Sequence, residues 1–209
     1  MKKTYIAIAL VAVLGIIVGG SLLTRKSSTK LAATPTSDHT SMTMSADSLK
    51  NVNGDAYDKM FITMMSEHHT GALAMAGYVK NSSKPEIRQL ASNIVAAQTK
   101  ELADMRSWAA KWGYSYIEPS QQAIDNATAS VANKTGDALD KQFLSDMIGH
   151  HQSALDMAQY SKKNAKHQEI VDLSSNIERT QTAEIMQIKT IQSTYNYGTG
   201  STSMSGMHM

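Results

Sequence analysis

The chain has no cysteine, which excludes disulfides, thiolate metal sites, a thiol nucleophile and a lipid-modified N-terminal cysteine. It also lacks a basic block: 20 Lys and Arg are scattered among 18 Asp and Glu, for a formal charge of +2. That balance recommends no nucleic-acid partner. What remains as soft or borderline metal donors is 14 methionines and seven histidines. With 209 residues, 42% of them apolar, there is room for one helical domain plus extensions.

The N-terminus reads as a targeting segment. Lys2 and Lys3 precede an apolar run over residues 5–23, closed by Arg25 and Lys26, and roughly 20 apolar residues suffice to span a bilayer. No clear small-x-small cleavage site follows, so residues 1–26 are expected to be an uncleaved transmembrane anchor, with a cleaved signal as the alternative. The expected localisation is the cell membrane, with the domain outside the cytoplasm; after cleavage it would be secreted or periplasmic. Residues 27–54, rich in Ser, Thr, Lys and Ala, read as a flexible linker. Residues 198–209 read as a flexible Met/His-rich tail.

Between them lies an internal repeat. "MMSEHHTGALAMA" at residues 64–76 returns as "MIGHHQSALDMA" at residues 147–158. At an offset of 82, Asp58, Phe61, Met65, His68, His69, Ala72, Met75 and Tyr78 recur as Asp140, Phe143, Met147, His150, His151, Ala154, Met157 and Tyr160. One residue later in register, Ile87, Leu90, Ile94, Gln98 and Glu101 recur as Ile170, Leu173, Ile177, Gln181 and Glu184. In each copy the apolar positions form a stripe at about 100° per residue, break at a turn near 82–84 or 165, and resume. Pro85 suits a first helical turn. Each repeat therefore reads as a helical hairpin, residues 55–113 and 137–197, joined by a looser connection over 114–136 that includes a short helix. The fold expected for 55–197 is all-α, a four-helix up-down-up-down bundle.

Counting about 14 residues back and forward from the first turn puts His68 level with Gln98, at about 1.5 Å per residue, and Glu101 within about a turn. His150, Gln181 and Glu184 repeat the arrangement. Each hairpin thus carries a polar layer inside an apolar stripe, which is costly unless satisfied. A bound cation would satisfy it; a core histidine donating its ring N–H to Glu101 is the plainer alternative. His68 and His150 are expected inward, His69 and His151 towards the edge of the stripe.

Met64, Met65, Met75, Met105, Met147, Met157 and Met186 lie among apolar residues, where methionine commonly packs, although Met65 and Met147 stand one turn before His69 and His151. The termini have no core to fill. "HTSMTM" holds His39, Met42 and Met44, and "MSGMHM" holds Met204, Met207, His208 and Met209. Clustered thioethers suit a soft monovalent ion, Cu(I) or Ag(I). Copper, as Cu(I), is the expected cargo.

The doubled "HH" followed by "A" and "MA", with a downstream Gln98, Glu101, Met105 and Trp108, resembles the domain of unknown function 305 family over about residues 55–197. The resemblance implies a ferritin-like four-helix bundle, usually exported, with some members described as periplasmic copper-binding proteins. Carried over by position, it points to His68, His69, Met75, His150, His151 and Met157, with Met64, Met65 and Met147 close by. The second repeat departs from the first: Met64 is matched by Asp146, Glu67 by Gly149 and Trp108 by Ile191.

The function expected is an extracytoplasmic copper-binding protein, not an enzyme, that buffers or sequesters copper through Met and His, with Gln98, Glu101, Gln181 and Glu184 as supporting groups or ligands. A ferritin-like di-metal oxidase needs a Glu-x-x-His on two helices, but Met65 and Met147 stand three residues before His68 and His150. A non-metal structural or interaction bundle is the third reading. The expected partners are a metal ion and, through the N-terminal helix, the membrane; a homo-oligomer or a metal-exchange protein is left open.

Overall fold

Each repeat opens with a helix built on an apolar stripe and closes with a second that returns along it. The computed structural model describes residues 45–198, all within one compact unit. The order is α1 (Gly54–Val79), α2 (Pro85–Trp112), α3 (Gln121–Thr128), α4 (Gly136–Ala158), α5 (Ser161–Asn164) and α6 (Gln168–Thr194). Pro85 sits at the start of α2, where a missing N–H breaks no helical bond. Gly113 ends that helix at φ 70°, the left-handed conformation that favours glycine. Ser120 starts α3 by accepting the Ala123 N–H at 3.1 Å. The backbone stays right-handed helical through Gln159 and Tyr160, so the one-turn α5 is the bent end of α4. Counted in that way, the described residues form five α-helices. A 3-10 turn at Ala46–Leu49 precedes them, with Leu49 buried and its carbonyl held by Asn164 Nδ2 at 2.9 Å.

The expected four-helix up-down-up-down bundle is corrected in both helix count and topology: the described residues form five helices, one of them bent. In the expected arrangement α1 and α4 would be parallel and diagonal. Instead they touch and run antiparallel: Ser82, just past α1, bonds Asp140 at the start of α4 (2.7 Å), while Tyr57 at the start of α1 bonds Ser161 beyond the end of α4 (2.9 Å). Helices α2 and α6 are antiparallel too, with Glu86 meeting Tyr195 at one end and Lys111 meeting Glu169 at the other. The cause is the connection. It leaves α2 at the end where α1 begins and must reach the opposite end to start α4, a distance of about 39 Å for the 26 residues of α1. Residues 114–135 are long enough to cross that length, and α3 packs along α1 on the way.

The two repeats are thereby related by an approximate two-fold axis, and each braces the other. Asp58, fully buried, accepts the backbone N–H groups of Lys166 and His167 (both 3.1 Å) and the His167 ring Nδ1–H (2.6 Å), capping α6. Its counterpart Asp140 accepts from Ser82 at the turn before α2. Between these ends the core falls into two apolar clusters. One gathers Met75, Val79, Ile87, Leu90, Phe143 and Met147; the other gathers Tyr57, Phe61, Met65, Met105, Ile170 and Ile177.

The expected membrane-spanning helix is likewise corrected. Among the described residues no helix is long and apolar enough to cross a membrane; even α1 carries Asp55, Asp58, Lys59 and Glu67. The anchor expected on residues 1–26 lies outside the described residues. The membrane as a partner, and the anchored localisation built on it, are withdrawn with the spanning helix.

Replacing Asp58 by Ala leaves two backbone N–H groups at the start of α6 without an acceptor. We expect Asp58→Ala to cost about 2–4 kcal/mol in urea unfolding, and Asp140→Ala to cost less because it breaks one side-chain bond. Equal losses would contradict the capping role.

Candidate metal centre

Helices α1 and α4 cross where the repeat places its histidine pairs. His68 Nε2 lies 2.9 Å from the carbonyl oxygen of His150, and the two rings lie against each other, tilted by 38°, with centroids 3.6 Å apart. A carbonyl only accepts, so Nε2 carries the proton and Nδ1 keeps its lone pair. That Nδ1, and the Nδ1 of His150, are buried with no hydrogen-bond partner. Burial holds the His68 pKa well below the ordinary histidine range, and the neighbouring His150 and His69 add to the effect. Burial likewise pushes His150 down to about 3, followed by His151 and His69. Both rings are neutral at pH 7, the state in which imidazole binds metal.

His69 and His151 face the other way, towards α2 and α6, and are fully buried. His69 Nε2 donates to Glu101 at 2.7 Å, and Asn176 Nδ2 on α6 reaches the other Glu101 oxygen at 3.2 Å. His151 Nε2 approaches Glu184 to 2.7 Å without hydrogen-bond alignment. Gln98 and Gln181 are each 2% exposed, and neither polar end of Gln98 has a partner. The polar layer read from the sequence is therefore present, dividing the two apolar clusters. Its histidines are exchanged, however. His68 and His150, expected inward, are only half-buried at the α1–α4 seam, while His69 and His151 occupy the interior. Setting α1 against α4 turns the first residue of each pair into that seam.

Beside His68 and His150 lies a cavity of about 270 Å³ between α1, α3 and α4. Met64 and Met157 line it together with both imidazoles, and Glu67 and Ser153 stand on its wall. Ala123 and Ala127 of α3 close one side. A Cβ on Gly71 would sit 2.9 Å from the Ala127 Cβ, so α3 seats on α1 only because that position is glycine. Two thioethers and two neutral imidazoles form a soft donor set that fits Cu(I).

The other candidates are placed elsewhere. Met64 and Met157 share the second apolar cluster with Met65 and Met105 but reach the cavity, whereas Met65, Met75, Met105 and Met147 do not line it and Met186 is 60% exposed on α6. His39, Met42, Met44, Met204, Met207, His208 and Met209 lie outside the described residues. Among the described residues no three His, Asp or Glu side chains converge as a metal-holding group. Ser153, Gly71 and the alanines of α3 were not anticipated. The length of the connection was the available signal that a segment would cross this face.

The model of the family described as domain of unknown function (DUF305) matches residues 21–109 and 58–192. The chain belongs to the DUF305 family. No curated protein matches it. Among solved structures, CopM in its Cu(I)-bound form is 31% identical with a TM-score of 0.58, over 66% of this chain and 96% of that one. CopM is also solved in Cu(II)-bound and silver-bound forms. A DUF305 fragment from Deinococcus radiodurans is 25% identical with a TM-score of 0.58, over 66% of this chain and 95% of that one. A DUF305 protein from Streptomyces coelicolor, 20% identical with a TM-score of 0.61 over 70% and 96%, shares the fold.

The depressed histidines set an acid limit on the fold of this DUF305 chain. An unfolded histidine titrates near 6.5, whereas folded His150 titrates at about 3. Between those values the unfolded state binds more protons, so the stabilisation present above pH 6.5 is lost as pH falls towards 3. Urea unfolding from pH 7 to 4 should show a shallower decline for His150→Gln than for the native chain. Parallel curves would contradict the depressed pKa.

Proposed function

We propose that this protein binds copper as Cu(I) and buffers or sequesters it, holding the ion in the cavity between α1, α3 and α4. The observation that carries the reading is the composition of that cavity: Met64 and His68 from one repeat meet His150 and Met157 from the other. Thioether sulfur and neutral imidazole are soft and borderline donors, favouring a soft monovalent ion over hard cations that want oxygen. The His150 carbonyl, by holding His68 in the Nε2–H tautomer, acts as the outer partner that orients a ligating ring. Similarity to CopM, solved with Cu(I) and with silver, supports the same choice of ion.

In this reading the interior groups serve the site from behind. Glu101 holds His69 and Glu184 stands beside His151, with Gln98 and Gln181 next to them, and the layer keeps α2 and α6 in register with the seam. Met65, Met75 and Met147 are packing residues next to the site. The terminal donors, His39, Met42 and Met44 on one side and Met204, Met207, His208 and Met209 on the other, capture the ion for delivery to the bundle. The role is one of binding rather than catalysis.

Competition against a Cu(I) chelator tests the reading. In a chain whose seven terminal donors are replaced, Met64→Leu with Met157→Leu should weaken Cu(I) binding by more than about tenfold. Stability should change by less than about 3 kcal/mol, because each of the two swaps conserves volume and costs less than about 1.5 kcal/mol. An affinity untouched by this double substitution, and by His68→Ala with His150→Ala, would sink the proposal.

A further inference from the structure

The approximate two-fold axis passes between His68 and His150, so a symmetric protein would offer two equivalent positions beside that pair. At an offset of 82, the residues of the open cavity map onto a second set: Met64 onto Asp146, Glu67 onto Gly149, and Met157 back onto Met75. The histidines map onto each other. The second set is built differently. Asp146 is engaged by Ser130 Oγ at 2.5 Å and by Gln142 Nε2 at 2.8 Å. Ser130 belongs to the connection, just past α3. Ala127, in the last turn of α3, lies over Gly71 at the wall of the open cavity. Val131 is fully buried in the apolar cluster that also holds Met75, itself 2% exposed.

We propose that the connection makes the histidine pair serve one soft ion rather than two: α3 walls the cavity on the Met64 side, and Ser130 and Val131 just beyond it fill the equivalent position on the Met75 side. This rests on the copper reading and specifies its stoichiometry within the bundle. Chemistry and packing agree on the choice of side. The open position has thioethers from both repeats. On the closed one the counterpart of Met64 is a carboxylate already held by two hydrogen bonds, and Met75, as buried as Met157, shares its apolar cluster with Val131 and does not line the cavity. His68 also has one nitrogen committed to the His150 carbonyl, which leaves a single lone pair on that ring to give.

Methionine-methyl NMR of the full chain, titrated with Ag(I) as the redox-inert stand-in for Cu(I), separates the two sides. The Met64 and Met157 methyl signals should shift together and saturate with one bundle-bound equivalent, while the Met75 signal stays in place. In Asp146→Met, which restores a thioether on the closed side, Met75 should remain silent. Movement of Met75 alongside Met64 in the native chain would overturn the one-ion proposal and leave copper binding standing. Shifts confined to the terminal methionines would overturn both.

Discussion

The antiparallel contact of α1 with α4 at His68 and His150 is the constraint on which the rest of the molecule depends. Once these helices lie side by side in opposite directions, each start of a repeat stands beside the other repeat's turn. Asp58 can then cap α6, and Asp140 can hold Ser82. Neither carboxylate could do so in a bundle where α1 and α4 ran parallel on a diagonal. The same contact decides which histidine of each pair meets the seam and which meets the interior, and it creates the face that α3 crosses. A buried, partly unsatisfied polar layer tolerated at mid-height is easier to understand in this light. The apolar clusters on either side, each drawing on both repeats, carry the packing.

The internal carboxylates illustrate how that layer is made affordable in physical terms. Glu101 is 6% exposed and receives hydrogen bonds from α1 through His69 and from α6 through Asn176. A buried acceptor shared by two donors is compensated in a way that a single pair is not. The second repeat lacks this bracing. The counterpart of Asn176 is Asn93, which is exposed and bonds Gln89 along its own helix, and His151 meets Glu184 without good alignment. The repeat is thus symmetric in its backbone and unequal in its polar chemistry.

How far the sequence disclosed this depends on whether the information is local. The helices were legible, because stripes at 3.6-residue spacing and the signals at Pro85 and Gly113 are properties of short segments. So was the level of Gln98 and Glu101 opposite the histidines, since a tight hairpin fixes axial register by counting. Lateral arrangement was not legible. Whether α4 stands beside α1 or across from it depends on where a 22-residue connection runs, and composition does not say. The exchange of His68 for His69 follows from that one error, because adjacent residues differ by about 100° around a helix and the choice of neighbour selects between them. Met64 and Met157 were named as candidates, but their meeting in one cavity required the antiparallel pairing. The transmembrane expectation failed to find a helix among the described residues because it rested on a segment outside them.

On the copper reading, the position of the cavity has an energetic consequence. Its donors come from α1 and α4 in equal number, so an ion held there ties the two repeats together across the axis that relates them. That seam is also where the protein places neutral, half-buried imidazoles instead of interlocking hydrocarbon. A ligand that binds only the folded state stabilises it by RT ln(1 + [L]/Kd), which reaches about 2.7 kcal/mol at a hundredfold excess over Kd. Acid opposes that gain from the same residues, since protonating His68 or His150 removes a ligand and charges a buried ring at once. Metal retention and the integrity of the α1–α4 seam are therefore coupled through two side chains, and the fold needs no separate moving part to connect them.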